Sequence, residues 1–240
     1  MTFGRRQIAI ARVVAVLVLL ALGAGPRSAR AEDDWKVIEK HTEGPAPDTE
    51  SAPKSDQTVV ACGEAARPAS DSYRAIVSQL NDMNGVNFRV YESVAEISPH
   101  VREGGCIFYN AAFLARLLAN WMNISDPEAM NPMLYAIFAH EEGHLIHQDF
   151  DPRNERIGAK AKELAADQFA GYTLQRLGMR LDSDEITRYY QLTGDDFFGQ
   201  ASGHGTGAER TEAFRDGWHR AQVGLPEQGQ RPAGGFDAGP

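Results

Sequence analysis

The stretch MLYAIFAHEEGH at residues 133–144 decides how this chain folds. Seven apolar or small residues precede the motif H-E-x-x-H, so the sequence predicts a largely buried helix here. In a helix of about 3.6 residues per turn, His140 and His144 lie one turn apart on the same face. Two imidazoles at that spacing can bind one Zn²⁺ and leave room for a third ligand and a water molecule. The carboxylate of Glu141 can accept a proton from that water.

The alternative interpretation is a polar helix face with two solvated histidines. The chain has 7 His in 240 residues, so a chance H-E-x-x-H occurs on the order of once in a hundred such chains. A buried helix that carries two histidines and two glutamates is costly unless these residues serve a metal or a cleft. The apolar residues before the motif therefore favour a metal site over a solvated helix face.

The first 31 residues have the features of a secretory signal peptide. Arg5 and Arg6 form a charged start, residues 13–22 are apolar, and residues 29–31 form an A-x-A cleavage site. The apolar stretch is shorter than the ~20 residues that a membrane span needs, although an uncleaved anchor is the alternative. The sequence predicts an exported protein, periplasmic or secreted, with no membrane span after signal removal.

The charge of the chain argues against nucleic acid as a partner. Residues 1–31 hold five arginines and no acidic residue, so removing them lowers the formal net charge of −9 by five, to −14. A chain this acidic repels phosphate backbones, and no basic stripe offsets the repulsion.

Two cysteines, Cys62 and Cys106, are present. In an exported protein they favour one disulfide, which here joins the segment before the first helix to a predicted strand. Two free thiols or metal ligands are the alternative, but neither cysteine belongs to a C-x-x-C motif or to another cluster of ligands.

Composition divides the rest of the chain into three parts. Residues 32–57 and 226–240 are rich in Pro, Gly, Ser or acids and poor in apolar groups, which predicts a disordered tether and a disordered tail. Residues 58–225 form one domain. Its apolar spacing and turn signals predict an α+β fold, mainly helical with a small β-sheet. Helices are predicted at residues 71–84, 111–121, 131–150, 153–177, 183–192 and 208–223, and strands at residues 86–90 and 106–109.

Two histidines do not complete a metal site. His147 is excluded as the third ligand because it lies about 10 Å along the helix axis from His140. We interpret it as a polar residue of the same face or as a group that contacts a ligand without binding the metal. The next predicted helix carries Glu163 and Asp167 one turn apart. If it folds back against the first, Glu163 can bind the metal and Asp167 can accept the N–H of a ligating histidine. A solvated helix face is the alternative for this pair.

These motifs resemble a known family. H-E-x-G-H at residues 140–144, followed by E-x-x-A-D-x-x-A-G at residues 163–171, resembles the gluzincin peptidases of the CAAX-prenyl endopeptidase and heat-shock protease HtpX type. Ser202-Gly203-His204 and Arg210 are similar to the S-T-H-P…R signature of that family. The resemblance implies a zincin-like fold in which the H-E-x-x-H helix packs against the helix that donates the third zinc ligand, Glu163. It also implies that His204 helps to stabilise the oxyanion and that Arg210 binds or braces near the cleft.

The chain departs from the family pattern at two positions. Gly205 replaces a proline, which predicts a less rigid loop around His204, and Glu142 replaces an apolar residue, which we interpret as a surface difference. The membrane-bound members have several transmembrane helices. This chain has no such segment after its signal and looks like the exported members, whose substrates are envelope or extracytoplasmic proteins.

The sequence therefore predicts a zinc-dependent endopeptidase with one Zn²⁺ held by His140, His144 and Glu163. Its polypeptide substrate is expected to add as a strand to Ile107, Phe108 and Tyr109, interpreted as a sheet edge. One alternative is a non-catalytic zinc-binding chaperone or assembly factor, and another is a metal-dependent amidase. The sequence does not fix the oligomeric state.

Overall fold

The structure, a computed structural model, describes residues 57–95, 97–124, 127–179, 183–198 and 203–228. The predicted signal peptide and all but the last residue of the predicted tether lie outside these ranges, as does the tail after Gln228. The strands are β1 (Val59–Ala61), β2 (Glu64–Pro68), β3 (Arg89–Ser93), β4 (His100–Arg102) and β5 (Cys106–Tyr109). The helices are α1 (Asp71–Asn84), α2 (Ala111–Arg116), α3 (Pro127–Ile146), α4 (Ala159–Arg176), α5 (Ser183–Thr193), α6 (Asp195–Phe198) and α7 (Gly207–Gln222).

The predicted α+β class is confirmed, with a mixed five-stranded sheet in the order β1-β2-β3-β5-β4. Strands β3 and β5 are parallel, and the other pairs are antiparallel. Among the described residues, no helix is long and apolar enough to cross a membrane.

The strand predicted as a sheet edge is internal. Strand β5 lies between β3 and β4, and Ile107, Phe108 and Tyr109 are at most 1% exposed. The interpretation was wrong because β4 takes the edge position, and its three residues include the polar His100 and Arg102. A strand this short and polar has no recognisable alternation.

The predicted disulfide between Cys62 and Cys106 is confirmed. Cys62 lies in the turn between β1 and β2, and Cys106 opens β5, so the bond ties the hairpin to the middle of the sheet. Two more contacts hold the hairpin, because Glu64 of β2 accepts hydrogen bonds from His100 and Arg102 of β4. Since β2 and β4 are not neighbours in the sheet, these side-chain contacts connect two strands that the ladder does not pair.

Helix α3 is the centre of the helical layer. Its middle is buried around its whole circumference, because it packs against β4, β5, α1 and α4. It begins at Pro127 and not at Asn131 as predicted; proline suits a first helical position, where its missing N–H costs nothing. Helix α4 begins at Ala159 instead of Arg153, since Pro152–Asn154 forms a 3-10 turn.

Small residues let the helices approach closely. A Cβ added to Gly143 of α3 would lie 3.0 Å from the Cα of Ala166 on α4. A Cβ on Gly217 of α7 would lie 1.8 Å from the carbonyl oxygen of Gln168 on α4. Any side chain at Gly217 would therefore force the two backbones apart. This packing brings side chains of α4 and α7 to the face of α3 that carries the two histidines.

Candidate metal centre

Helix α3 presents His140 and His144 side by side, as their spacing requires. Their rings meet edge to face with centroids 4.7 Å apart, and their Nε2 atoms are 3.1 Å apart. His140 is buried and His144 is partly buried. The two nitrogens therefore point to one place at the border of the protein interior.

Glu163 of α4 completes a group of three possible metal ligands. Its Oε2 lies 3.4 Å from His140 Nε2, and its Oε1 lies 3.6 Å from His144 Nε2. One ligand atom from each residue lies within 4.8 Å of the other two. Around a tetrahedral metal with bonds of about 2.0–2.1 Å, ligand atoms lie about 3.3 Å apart. The three side chains therefore fit a divalent cation.

A buried ion pair stands behind His140. Asp167 of α4 is 0% exposed, and its Oδ1 lies 2.8 Å from His140 Nδ1. Arg210 of α7 donates two hydrogen bonds of 2.8 and 2.9 Å to the same carboxylate, and two more to Thr193. Because Asp167 engages Nδ1, the Nε2 lone pair of His140 faces the metal position. Arg210 thus braces the site from behind and does not line an open cleft.

The partner of His144 is a residue that the sequence interpretation missed. Asp149 Oδ2 lies 2.7 Å from His144 Nδ1. Asp149 follows the end of α3, after Gln148 has turned the chain with a φ of 55°. Lys162 of α4 donates a hydrogen bond to the carbonyl oxygen of Asp149 and fixes this turn. The one feature of the sequence that could have identified Asp149 as the partner of His144 is its position, five residues after a predicted ligand.

The charges in the site shift several pKa values. Burial would raise the pKa of Glu163, but His140, His144 and Arg210 outweigh it and lower that pKa to about 2. Burial would lower the pKa of His140, but Asp167 and Glu163 raise it to about 10. Glu163 is therefore a carboxylate at any ordinary pH. A proton and a cation compete for His140, so cation binding weakens as the pH falls.

Glu141 lies next to the ligands in sequence and is 7% exposed. Burial raises its pKa above the ordinary value, against the opposing effect of His140 and His144, and the negative charge of Glu163 raises it further. A carboxylate with a raised pKa is a stronger base than one in water.

His204 is close to the ligands but is half-exposed. Its Nε2 lies 4.0 Å from Glu163 Oε1. Its loop is held by Asp195, whose carboxylate accepts hydrogen bonds from the backbone N–H groups of His204 and Gly205. Gly205 has a φ of 87°. A proline there could neither adopt this angle nor donate this bond, so the loop is ordered in another way than in the family pattern. Ser202 lies outside the described residues.

Glu142 is not a surface residue, and that interpretation was wrong. It is 0% exposed, and its Oε2 accepts a hydrogen bond of 2.9 Å from Asn84 at the end of α1. Burial raises its pKa to about 8. It faces away from the ligands because it lies two residues from both His140 and His144, or about 200° around the helix.

His147 lies beyond the site, against the segment that follows α7. Its Nε2 is 3.2 Å from Glu227 Oε1, and Glu227 is buried. His147 therefore does not support the metal ligands. Glu227 lies within the predicted tail, residues 226–240, and is buried in the structure.

Comparisons of the chain with protein-family models, with curated proteins and with solved structures give no match. The resemblance to gluzincin peptidases therefore depends on the sequence motifs alone.

Proposed function

We propose that this chain is a zinc-dependent endopeptidase. The observation that carries the proposal is the convergence of His140, His144 and Glu163, with the buried Glu141 adjacent to them. Two imidazoles and one carboxylate are a ligand set of catalytic zinc sites, in which three protein ligands leave a position for water or substrate. A structural zinc site is usually closed by four protein ligands and needs no base.

The chain's own residues can perform the steps of hydrolysis. Bound Zn²⁺ supplies Lewis acidity, which lowers the pKa of water and polarises a carbonyl group. Glu141 takes the proton of the attacking water and passes it to the leaving amine. His204 donates a hydrogen bond to the oxyanion of the tetrahedral intermediate, where a donor acts most strongly in the transition state. Asp167 and Asp149 hold the two imidazoles in one orientation throughout.

The edge strand β4 supports a polypeptide as the substrate. It packs against α3, the helix with the H-E-x-x-H motif, and one of its sides has no neighbour among the described strands. An extended peptide can add to such an edge through backbone hydrogen bonds. We therefore assign the substrate-binding edge to β4. Strand β5, which the sequence predicts to be that edge, is internal.

The sequence motifs and the disulfide support the remaining parts of the proposal. The spacing of H-E-x-G-H, E-x-x-A-D and the later His204 and Arg210 resembles the gluzincin pattern, including the role of Glu163 as the third ligand. A disulfide and the predicted signal peptide suit an exported protein. We therefore propose that the substrates are exported or envelope proteins.

The test is cleavage of unfolded casein by the zinc-loaded protein and by Glu141→Gln. We expect the variant to keep its zinc and to lose about 10²–10⁴-fold in rate, because it retains the ligands and lacks the base. The matched control is Glu142→Gln, the same change one residue further on, which should cleave casein like the wild type. Activity of Glu141→Gln within about tenfold of the wild type would refute the role of this residue. Zinc binding without fragments from the wild type would favour a scaffold.

A further inference from the structure

A groove of about 390 Å³ lies beside the disulfide, on the opposite side of the sheet from the buried helix-facing residues. The groove is lined by Cys62, Gly63, Glu64, Val94, Ile97 and Arg102, among others. Cys62 is partly exposed here, whereas Cys106 is 0% exposed. Cys62 therefore lines the groove, and the buried Cys106 does not.

A cation contacts both sulfurs. Nη2 of Arg89 lies 3.7 Å from Cys62 Sγ and 3.6 Å from Cys106 Sγ, and it also donates to the carbonyl oxygen of Gly104. A guanidinium beside a sulfur stabilises the thiolate over the thiol. Thiol–disulfide exchange is faster when the leaving sulfur is a stabilised thiolate. Arg89 is therefore placed to assist the opening of this disulfide.

We propose that this groove binds a small thiol compound and that the Cys62–Cys106 disulfide exchanges with it. The incoming thiolate attacks Cys62 Sγ, forms a mixed disulfide with it and expels Cys106 as a thiolate beside Arg89. A second molecule of thiol then attacks the outer sulfur of the mixed disulfide and releases Cys62. Two thiol molecules are oxidised to their disulfide, and the protein disulfide gains two electrons and two protons.

Opening the disulfide removes the covalent tie between the β1–β2 hairpin and β5, the neighbour of β4. Glu64 lies two residues after Cys62, and its carboxylate accepts hydrogen bonds of 2.9 Å from His100 and 3.0 Å from Arg102. Burial would raise the pKa of Glu64, but these two bonds hold it below its ordinary value, so the residue is charged at neutral pH. Without the disulfide, these two hydrogen bonds and the pairing of β2 with β3 are what hold Glu64 over β4. The tie between the hairpin and β4 is then weaker, while β4 keeps its ladder with β5.

The first test is a trapping experiment with the full oxidised chain. The protein is treated with reduced glutathione, and the reaction is stopped early with a maleimide and analysed by peptide mass spectrometry. We expect the glutathione adduct on Cys62 and the maleimide on Cys106. An adduct on Cys106, or complete protection of the disulfide, would overturn the proposal.

The second test addresses Arg89. The disulfide is equilibrated with mixtures of reduced and oxidised glutathione, and the reduced fraction is measured for the wild type, Arg89→Gln and Arg67→Gln. Arg89 is exposed, so the loss of its charge should lower the equilibrium constant for reduction by only about threefold. Arg67→Gln removes the same charge from an exposed position on β2 and should leave the constant unchanged. Equal constants for wild type and Arg89→Gln would remove the proposed role of the cation.

The third test follows β4 by hydrogen exchange. Amides of residues 59–68 and 100–102 should exchange at least about tenfold faster in the reduced protein and in the Cys62→Ser/Cys106→Ser variant, while those of α3 and α4 stay unchanged. Uniform acceleration would indicate general unfolding, and no acceleration at β4 would show that the hairpin does not hold it. Both results would contradict the proposal. None of the three tests requires peptidase activity, so they stand apart from the proposed function.

The effect on activity rests on that function. If β4 receives the substrate, the reduced and alkylated protein should bind zinc normally and cleave casein with a raised KM. An unchanged KM would contradict the link between the disulfide and the substrate edge.

Discussion

The two histidine ligands are supported by different kinds of structure. Behind His140 lie Asp167, Arg210 and Thr193, which come from three helices; Asp167 and Arg210 are buried. Behind His144 stands Asp149, which comes from the turn after α3. Each carboxylate engages Nδ1 of its histidine and so orients the imidazole ring with Nε2 towards the metal position. Only the first is also part of the packing that holds α4 and α7 together.

This difference separates metal binding from folding. Around His140, metal binding cannot be changed without also changing the stability of the fold, because a change at Asp167 leaves the buried Arg210 without its counter-charge. Around His144 the support is local, so a change there should affect the metal and spare the fold. Asp167→Asn and Asp149→Asn each test one side of this contrast, and Glu142→Gln tests a buried carboxyl that supports neither histidine.

Asp167→Asn should have the largest effect. Burial would raise the pKa of Asp167, but Arg210 and His140 outweigh it and hold that pKa below its ordinary value, so the native residue is charged. Removing one partner of a buried ion pair costs about 3–5 kcal/mol of stability. We expect a loss of this size in the free energy of unfolding by urea, together with weaker zinc binding. A variant as stable as the wild type would show that Arg210 does not depend on this carboxylate.

Glu142→Gln should raise stability, in contrast to the changes behind the ligands. In the folded protein the carboxyl of Glu142 keeps its proton up to a pKa of about 8, whereas in the unfolded chain it loses the proton near its ordinary pKa of 4.5. The folded state thus binds more protons between these values, and the stability of the wild type falls as the pH rises through them. Glutamine keeps an acceptor for Asn84 and does not ionise.

The measurement for Glu142 is the difference in unfolding free energy between variant and wild type at several pH values. It should grow from about pH 4.5 to about pH 8 by at most about 1.4 kcal/mol per pH unit, and then level off. A difference independent of pH would mean that this carboxyl is charged in the folded protein. Because other groups titrate alike in both proteins, their contributions cancel.

Asp149→Asn should change metal binding and little else. Replacing a carboxylate that orients a ligating histidine lowers metal affinity by about 10–100-fold. The variant should unfold within about 1 kcal/mol of the wild type, because the partner of Asp149, His144, is only partly buried. Competition with a chromogenic chelator measures the affinity. A large loss of stability at unchanged affinity would reverse the contrast between the two supports.

The sequence predicts the helical part of the site well and the rest poorly, for a physical reason. Residues four apart on a helix share a face whatever surrounds them, so the spacing of His140 and His144, and of Glu163 and Asp167, predicts which side chains can meet. Asp149 follows the end of its helix, and a left-handed residue, Gln148, sets its direction. No periodicity predicts such a turn.

The sheet and the core show the same limit. Strand β4 is three residues long, and its edge position results from pairing with β5 and from the contacts of Glu64. Glu142 is buried and accepts a hydrogen bond from Asn84, which lies 58 residues earlier in the chain. Both depend on tertiary contacts, which one-dimensional patterns do not contain.

The most direct measurement is the zinc content of the purified protein and of Glu163→Ala after dialysis against a weak chelator. Glu155→Ala, an exposed glutamate just before α4, is the matched control. We predict one zinc per chain in the wild type and the control, and loss of zinc from Glu163→Ala with its helical circular dichroism retained. Full zinc occupancy in Glu163→Ala, or a wild type that takes up no divalent cation, would contradict the assignment of His140, His144 and Glu163 as one metal centre.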